Sequence, residues 1–576
     1  MATARRKVIE NAVRRRDQGS PENVVPMSSP KSPLLGEMDP AVAGNLGSAQ
    51  PLSAFRGQGG QLSRADRLGL VDQALILMEQ NFVHRPLKEA MHAVRPVQRL
   101  RLLRQRIEIG EERDLSEAWQ FHQEMLEIFA SVRDLHTNYI LPPTFSGMVA
   151  FLPFLIESFV EAGQRRYLVS HLVQGFDKPP FARGVEVLSW NGIPIDRAVA
   201  LNAQRFAGSN PEARRARGIE RLTVRPLLLS LPPDEDWVIV GYRTTDGQGH
   251  ELRVDWHVAQ PGDRDVQDLL APTAATANSV AIETAMGIDI DAEMAGRAKK
   301  ILFAPPTTEA ESALAKSGAN EAADEVTSRR PEMSARVVET SHGRFGYVRI
   351  WTFAPADRNE PFEKFLSGFV GEFARLIEAL PQEGLVVDVR SNGGGIIYAG
   401  EMLLQLLTPH HIEPERLQFI NTPLNMELCR LNGPRSGIDL SPWVPSMSES
   451  VQTGAIYSRA FPITTEDMAN SIGQRYYGPV VLVTDARCYS TTDIFAAGFQ
   501  DHEIGAVLGV DMNTGAGGAN VWTHELLRQL MQASPSSPYA QLPGGAQMRV
   551  AIRQTVRVGK RAGTLNRAGN PGGRFG

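Results

Sequence analysis

Ser490 lies in the stretch RCYSTTDIFAAGFQD, residues 487–501, between a run that reads as a buried strand (GPVVLVTD) and one that reads as a helix. A hydroxyl at such a seam has two uses. Ser-Thr-Thr-Asp has capping-box spacing, so Ser490 could close the helix N-terminus with Asp493 reaching back. Alternatively, Ser490 could attack a carbonyl while the amides at the helix start stabilise the oxyanion. Residue chemistry alone leaves both open. A second seam, VVDVRSNGGGIIY, carries three glycines, Gly393 to Gly395. Without side chains their amides can face outward, and at a helix start they would form an anion-binding edge. A plain tight turn is the competing reading.

Both seams fall in the segment 336–576, where strands and helices alternate. RFGYVRIWTF reads as a strand. PFEKFLSGFVGEFARLIEAL reads as an amphipathic helix with Phe362, Leu366, Phe369, Phe373, Leu376 and Leu380 on one side. GLVVDVR, VVLVTD and IGAVLGV read as strands, and IIYAGEMLLQLL and TTDIFAAGFQ as helices. This is an α/β layer, in which sites form where strands end and helices begin. Upstream, residues 146–265 hold short apolar or alternating runs, with a DGQG hairpin turn. Their GVEVLSWNGIPIDRAVALNA resembles the strand–turn–helix of a PDZ domain. Residues 61–145 are helical, with a capping box at Ser63 and Asp66, a second helix near 116–132, and then the loop RDLHTNYILPP.

Two further segments lack such patterning. Residues 1–60 are rich in Ser, Pro, Gly and Gln and are expected to be a disordered arm. Residues 266–335 are rich in Ala, Thr, Ser and Glu and are expected to be a linker or mobile insertion. Unpatterned text of this kind also suits a self-cleaved activation segment.

Composition excludes several classes. A net charge of −5 commits the chain to neither nucleic acid nor membrane. No run of about 18 apolar residues predicts a membrane span. The charged start lacks the apolar core of a signal peptide, and Cys429 and Cys488 are too few for a disulfide framework, so a cytoplasmic location is expected. Cys488 is read as a core thiol. His410 and His411 are adjacent, face apart and have no acid cluster to complete a metal site. The arginines from Arg549 to Arg561 alternate with Val, Ile and Thr, as an edge strand with a solvated basic face would.

Taken together, VVDVRSNGGG, GPVVLVTDARCYSTTDIFAAGFQD and AVLGVDMNTGAGGAN resemble, in order, the motifs of the tail-specific, or C-terminal-processing, serine peptidases. The resemblance implies a ClpP/crotonase-like α/β core preceded by a helical segment and a β-rich PDZ-like module. It places Ser490 on the nucleophile and Asp493 on the acidic position three residues later. The better-known branch uses a lysine base about 25 residues after the serine. Position 515 here is glycine, and no lysine occurs between Lys364 and Lys560. The chain is therefore more similar to the lysine-free branches, such as the tricorn core and the chlamydial CPAF-like proteases.

In those branches a distant histidine serves as the base, and His136 in RDLHTNY matches it. A serine hydroxyl is a poor nucleophile without such a neighbour. The family's orienting glutamate lies beyond the terminal strands, but no acid follows Glu525. Either the chain ends short of it or the orienter lies elsewhere, with Asp134, Asp493 and Asp511 as candidates. The resemblance assigns the oxyanion donors to the amide of Thr491 and to Gly393 or Gly394.

The implied activity is a cofactor-free and metal-free serine endopeptidase acting on extended or unfolded polypeptide, compatible with a homo-oligomer. The alternative is a non-catalytic peptide- or ligand-binding protein on the same fold.

Overall fold

The computed structural model describes residues 49–55, 61–110, 117–260, 286–303, 324–325, 327–357 and 360–565. A six-stranded sheet organises the C-terminal half. Its strands run in the order Asp324–Glu325, Met333–Thr340, Gly343–Ile350, Leu385–Asp388, Val480–Thr484, Ala506–Gly509. The last four pair in parallel. Parallel strands covered on both faces need continuous apolar text, which explains LVVD and VVLVT. The helix Phe362–Ala379 buries Phe365, Phe369, Phe373 and Leu376 against this sheet, in one core with Val387, Leu482 and Phe495. Two strands of the sheet end at the two seams: Leu385–Asp388 leads into the glycine turn, and Val480–Thr484 into the helix Thr491–Asp501.

Most of the β-rich segment folds as a six-stranded antiparallel sheet, with Trp237–Arg243 and Gly249–Asp255 forming the expected hairpin. The helical segment starts at the predicted capping box, where Ser63 accepts from the Asp66 amide. It also contains helices Arg85–His92 and Pro96–Ile109, which the sequence reading passed over. The expected disorder of residues 1–48 lies outside the described residues. Residues 49–55 depart from that expectation: Gln50 and Pro51 pair with Val258 and His257, and Leu52 and Phe55 are buried. No described helix is long and apolar enough to cross a membrane.

The C-terminal arginine run corrects a second expectation. Gln547–Val556 is an interior strand, flanked by Arg416–Phe419, Ala519–Thr523 and Asn138–Ile140. Arg549, Arg553 and Arg557 are all buried. Arg553 lies 5.2–5.5 Å from the ring centroids of Phe419, Trp443 and Trp522, and its Nε and Nη2 donate to Asn520 Oδ1. Arg557 pairs with Asp501 at 2.6 Å. The alternation was real, but the charged face turns onto aromatic rings and carboxylates. Arg553→Ala is expected to lower the unfolding free energy by about 3 kcal/mol, because it removes ring contacts and strands the Asn520 acceptor. Urea titration checks it, with Arg553→Lys failing to restore the loss because an ammonium cannot lie flat between rings.

Candidate active site

Ser490 occupies the N-cap position of the helix, but its side chain does not cap it. Its backbone sits at φ 62°, ψ −120°, and its side chain makes no capping hydrogen bond. A positive φ in a residue with a Cβ costs on the order of 1–3 kcal/mol and persists where surrounding structure enforces it. Here the enforcement is visible. Tyr489 N–H donates to the Asn392 carbonyl, Gly515 N–H to the Cys488 carbonyl, and Ala486 N–H to Asp511. Asp493 does not reach back to Ser490. Its buried carboxylate accepts from Thr514 Oγ1 and the Gly517 amide, pinning the glycine loop beside Tyr489. Burial pushes Asp493 up to about 6. Asp493→Ala leaves those two donors without their acceptor, so a loss of about 2–3 kcal/mol in urea unfolding is expected.

The His136 loop packs on Tyr489, the residue that precedes Ser490. The Leu135 amide donates to Tyr489 Oη at 3.2 Å, and the Tyr489 and His136 rings lie 4.7 Å apart between centroids. Ser490 and His136 are both 0% exposed. Ser490 Oγ and the two His136 ring nitrogens have no hydrogen-bond partner among the described residues, so the serine–imidazole bond is not made in this state. Burial pulls His136 down to about 3; Asp134 opposes this and Arg549 adds to it. The imidazole is therefore neutral at physiological pH, the form a general base requires.

None of the three candidate acids orients the His136 ring. Asp134 accepts the His136 backbone amide at 2.8 Å and meets His84 Nδ1 at 2.7 Å. Burial works to raise Asp134, yet the His84 hydrogen bond and charge hold it below the usual carboxylate range. Asp493 and Asp511 serve the backbone contacts described above. On the strand beside the histidine loop stands Arg549, paired in register with Asn138.

The predicted oxyanion turn is only partly as expected. Gly394 packs on the serine: a Cβ there would lie 2.8 Å from Ser490 Cβ and 3.0 Å from the Thr491 amide nitrogen. Its own amide, however, donates to Asn392 Oδ1 at 2.9 Å. Gly393 faces Asp289 instead. Of the predicted donors, only the Thr491 amide combines proximity to the serine with no such commitment. Asp388 anchors the turn, bound by Arg349, Arg390 and Tyr347. Cys488 is buried and pushed well above its ordinary value by burial, as a core thiol should be. His410 and His411 belong to no metal-binding group, and none is present among the described residues.

The residues sequence reasoning missed lie in the supposed linker. Met286–Ile288 is a strand that pairs antiparallel with Gly394–Ile396. Gly287 lies against the serine: a methyl group built on it would collide with Ser490 Oγ and sit 3.2 Å from the Ala519 carbonyl. Its carbonyl accepts from Thr491 Oγ1 at 3.3 Å. The helix Ile290–Phe303 follows and is held by buried ion pairs. Asp289 pairs with Arg217, Asp291 with Arg221 at 2.6 Å, and Lys299 with Glu220, which also takes Arg487 at 2.6 Å. Arg549 Nη2 donates to the Ile288 carbonyl at 2.8 Å. At least residues 286–303 of the expected mobile insertion are thus docked on the face that carries Ser490.

This geometry can be set beside known proteins. The peptidase family S41 pattern matches residues 344–557, and the PDZ domain pattern matches residues 148–265. The chain carries a peptidase family S41 domain and a PDZ domain. The S41 span contains Ser490, Thr491 and the glycine turn, whereas His136 comes from the segment ahead of the PDZ domain. Mature CPAF is similar over 88% of this chain and 92% of its own, at 15% sequence identity and a TM-score of 0.59. CPAF complexed with lactacystin covers 88% and 93%, at 15% identity and 0.58. These likenesses describe a shared serine-peptidase fold. Comparison with curated protein sequences gives no match.

Proposed function

We propose that this S41-domain protein is a serine endopeptidase for extended or unfolded polypeptide, with Ser490 as nucleophile and His136 as general base, held closed by its own 286–288 strand. One observation carries the reading. An extended main chain already runs along Gly394–Ile396 with its central residue against Ser490. A substrate would use the same edge, adding a strand through main-chain hydrogen bonds and presenting its carbonyl to the serine. His136 then takes the hydroxyl proton and returns it to the leaving amine, while the Thr491 amide faces the developing oxyanion.

A second reading, a non-catalytic binding protein, draws on the unpartnered His136 ring with Arg549 rather than an acid on the neighbouring strand. A fluorophosphonate probe, applied after the 286–288 strand is released, separates the two. Labelling that maps to Ser490, disappears in His136→Ala and accompanies casein cleavage supports the peptidase. Absence of labelling in folded, released protein supports the binder.

A further inference from the structure

A cavity of about 600 Å³ opens between the helix Ala118–Ser131 and the chain that follows the strand Val224–Pro226. Trp119, Leu126, Phe145, Phe206 and Leu229 make its wall mainly apolar, and its size suits a small molecule. Arg225 also lines it and is only 7% exposed. This guanidinium lies 5.9 Å from the Phe206 ring centroid and 5.8 Å from that of Trp256. Its Nη2 makes two long hydrogen bonds, 3.3 Å to Asn202 Oδ1 and 3.5 Å to the Arg221 carbonyl, and its buried Nε has no partner.

Among the described residues no carboxylate pairs with Arg225. The acids on the cavity wall are engaged elsewhere: Asp234 with Arg205, and Glu127 with Arg99 and Gln123. A buried cation is costly unless an anion meets it. Burial draws Arg225 down to about 10, which leaves it charged at neutral pH. An apolar chamber with one under-bonded guanidinium in its wall has the chemistry of a receptor for an apolar anion. A planar carboxylate matches the guanidinium fork better than a neutral group of the same size.

We propose that this cavity binds a small apolar carboxylate, its head group on Arg225 and its chain along Trp119, Leu126, Phe145 and Leu229. No residue of the serine seam lines the cavity, although Leu229 in its wall packs on the cluster that holds Ile288, so binding is read by calorimetry and not by peptidase activity. Isothermal titration of the full chain with decanoate and with decanol tests it. Decanoate should bind at least 10-fold more tightly than decanol, and Arg225→Met should remove that difference. Ser230→Trp, which places an indole in the chamber wall, should abolish binding of both while circular dichroism stays native. Should Arg225→Met fail to fold, Ser230→Trp decides alone. No heat with decanoate, equal affinity for decanol, or decanoate binding that survives Ser230→Trp overturns the proposal.

Discussion

Ser490→Ala is expected to reduce hydrolysis of an unfolded polypeptide by about 10⁴-fold, equivalent to roughly 5.5 kcal/mol of transition-state stabilisation. The measurement belongs in protein whose 286–288 strand has been displaced, because a shielded serine would report the shield and not the chemistry. His136→Ala should cost a similar factor. The informative result is the double variant, which should be no slower than either single one. Nucleophile and base act as a unit, so once one is gone the other has nothing left to contribute. A structural role for His136 would give a different pattern. The ring is buried against Tyr489, and its removal would then lower stability and leave the serine's contribution intact. Urea midpoints measured beside the rates distinguish these cases. Equal rates in wild type and Ser490→Ala would end the peptidase reading.

The α/β core was legible because its physics is local. Three to four consecutive apolar residues, as in LVVD and VVLVT, read most simply as a strand covered on both faces. The helix Phe362–Ala379 announced its buried face by period, and the seams followed from where those runs stop. His136 was different. Nothing in RDLHTNY marks a base, and its meeting with Tyr489 depends on folding across hundreds of residues; family resemblance, not residue chemistry, singled it out. The strand Met286–Ile288 was illegible for a related reason. Three residues carry no periodic signal, and their hydrogen-bonding partner is a distant glycine strand that looks like a turn. Arg553 failed in the opposite sense, since its alternation was correctly seen. Charge at every second position says which residues share a face, but the rings of Phe419, Trp443 and Trp522 that receive the guanidinium come from elsewhere in the chain.

Gly287→Val is expected to accelerate fluorophosphonate labelling of Ser490 on the order of 100-fold. Position 287 has no room for a Cβ: a methyl group there meets Ser490 Oγ and approaches the Ala519 carbonyl to 3.2 Å. Overpacking of this kind typically costs 1–3 kcal/mol, and at the upper end the closed state loses about two orders of magnitude in population. Only a three-residue strand is displaced, so the six-stranded sheet and its core should survive and the melting transition should move little. Asp289→Ala reaches the same end by another route. It removes one partner of Arg217 and the carboxylate that accepts the Ala292 amide, so the junction of strand and helix loses one of its anchors without any clash at the serine. Agreement between the two variants would show that opening, not a new side chain in the seam, causes the gain. Release also changes the base. Desolvation is the main cause of the depressed His136 value, so readmitting water should return it toward 6.5. Labelling of the opened protein should then decline as pH falls below about 6.5, where the imidazole becomes protonated and can no longer accept the serine proton. A flat profile from pH 8 to pH 5 in Gly287→Val would remove His136 from the role of base even if Ser490 were labelled.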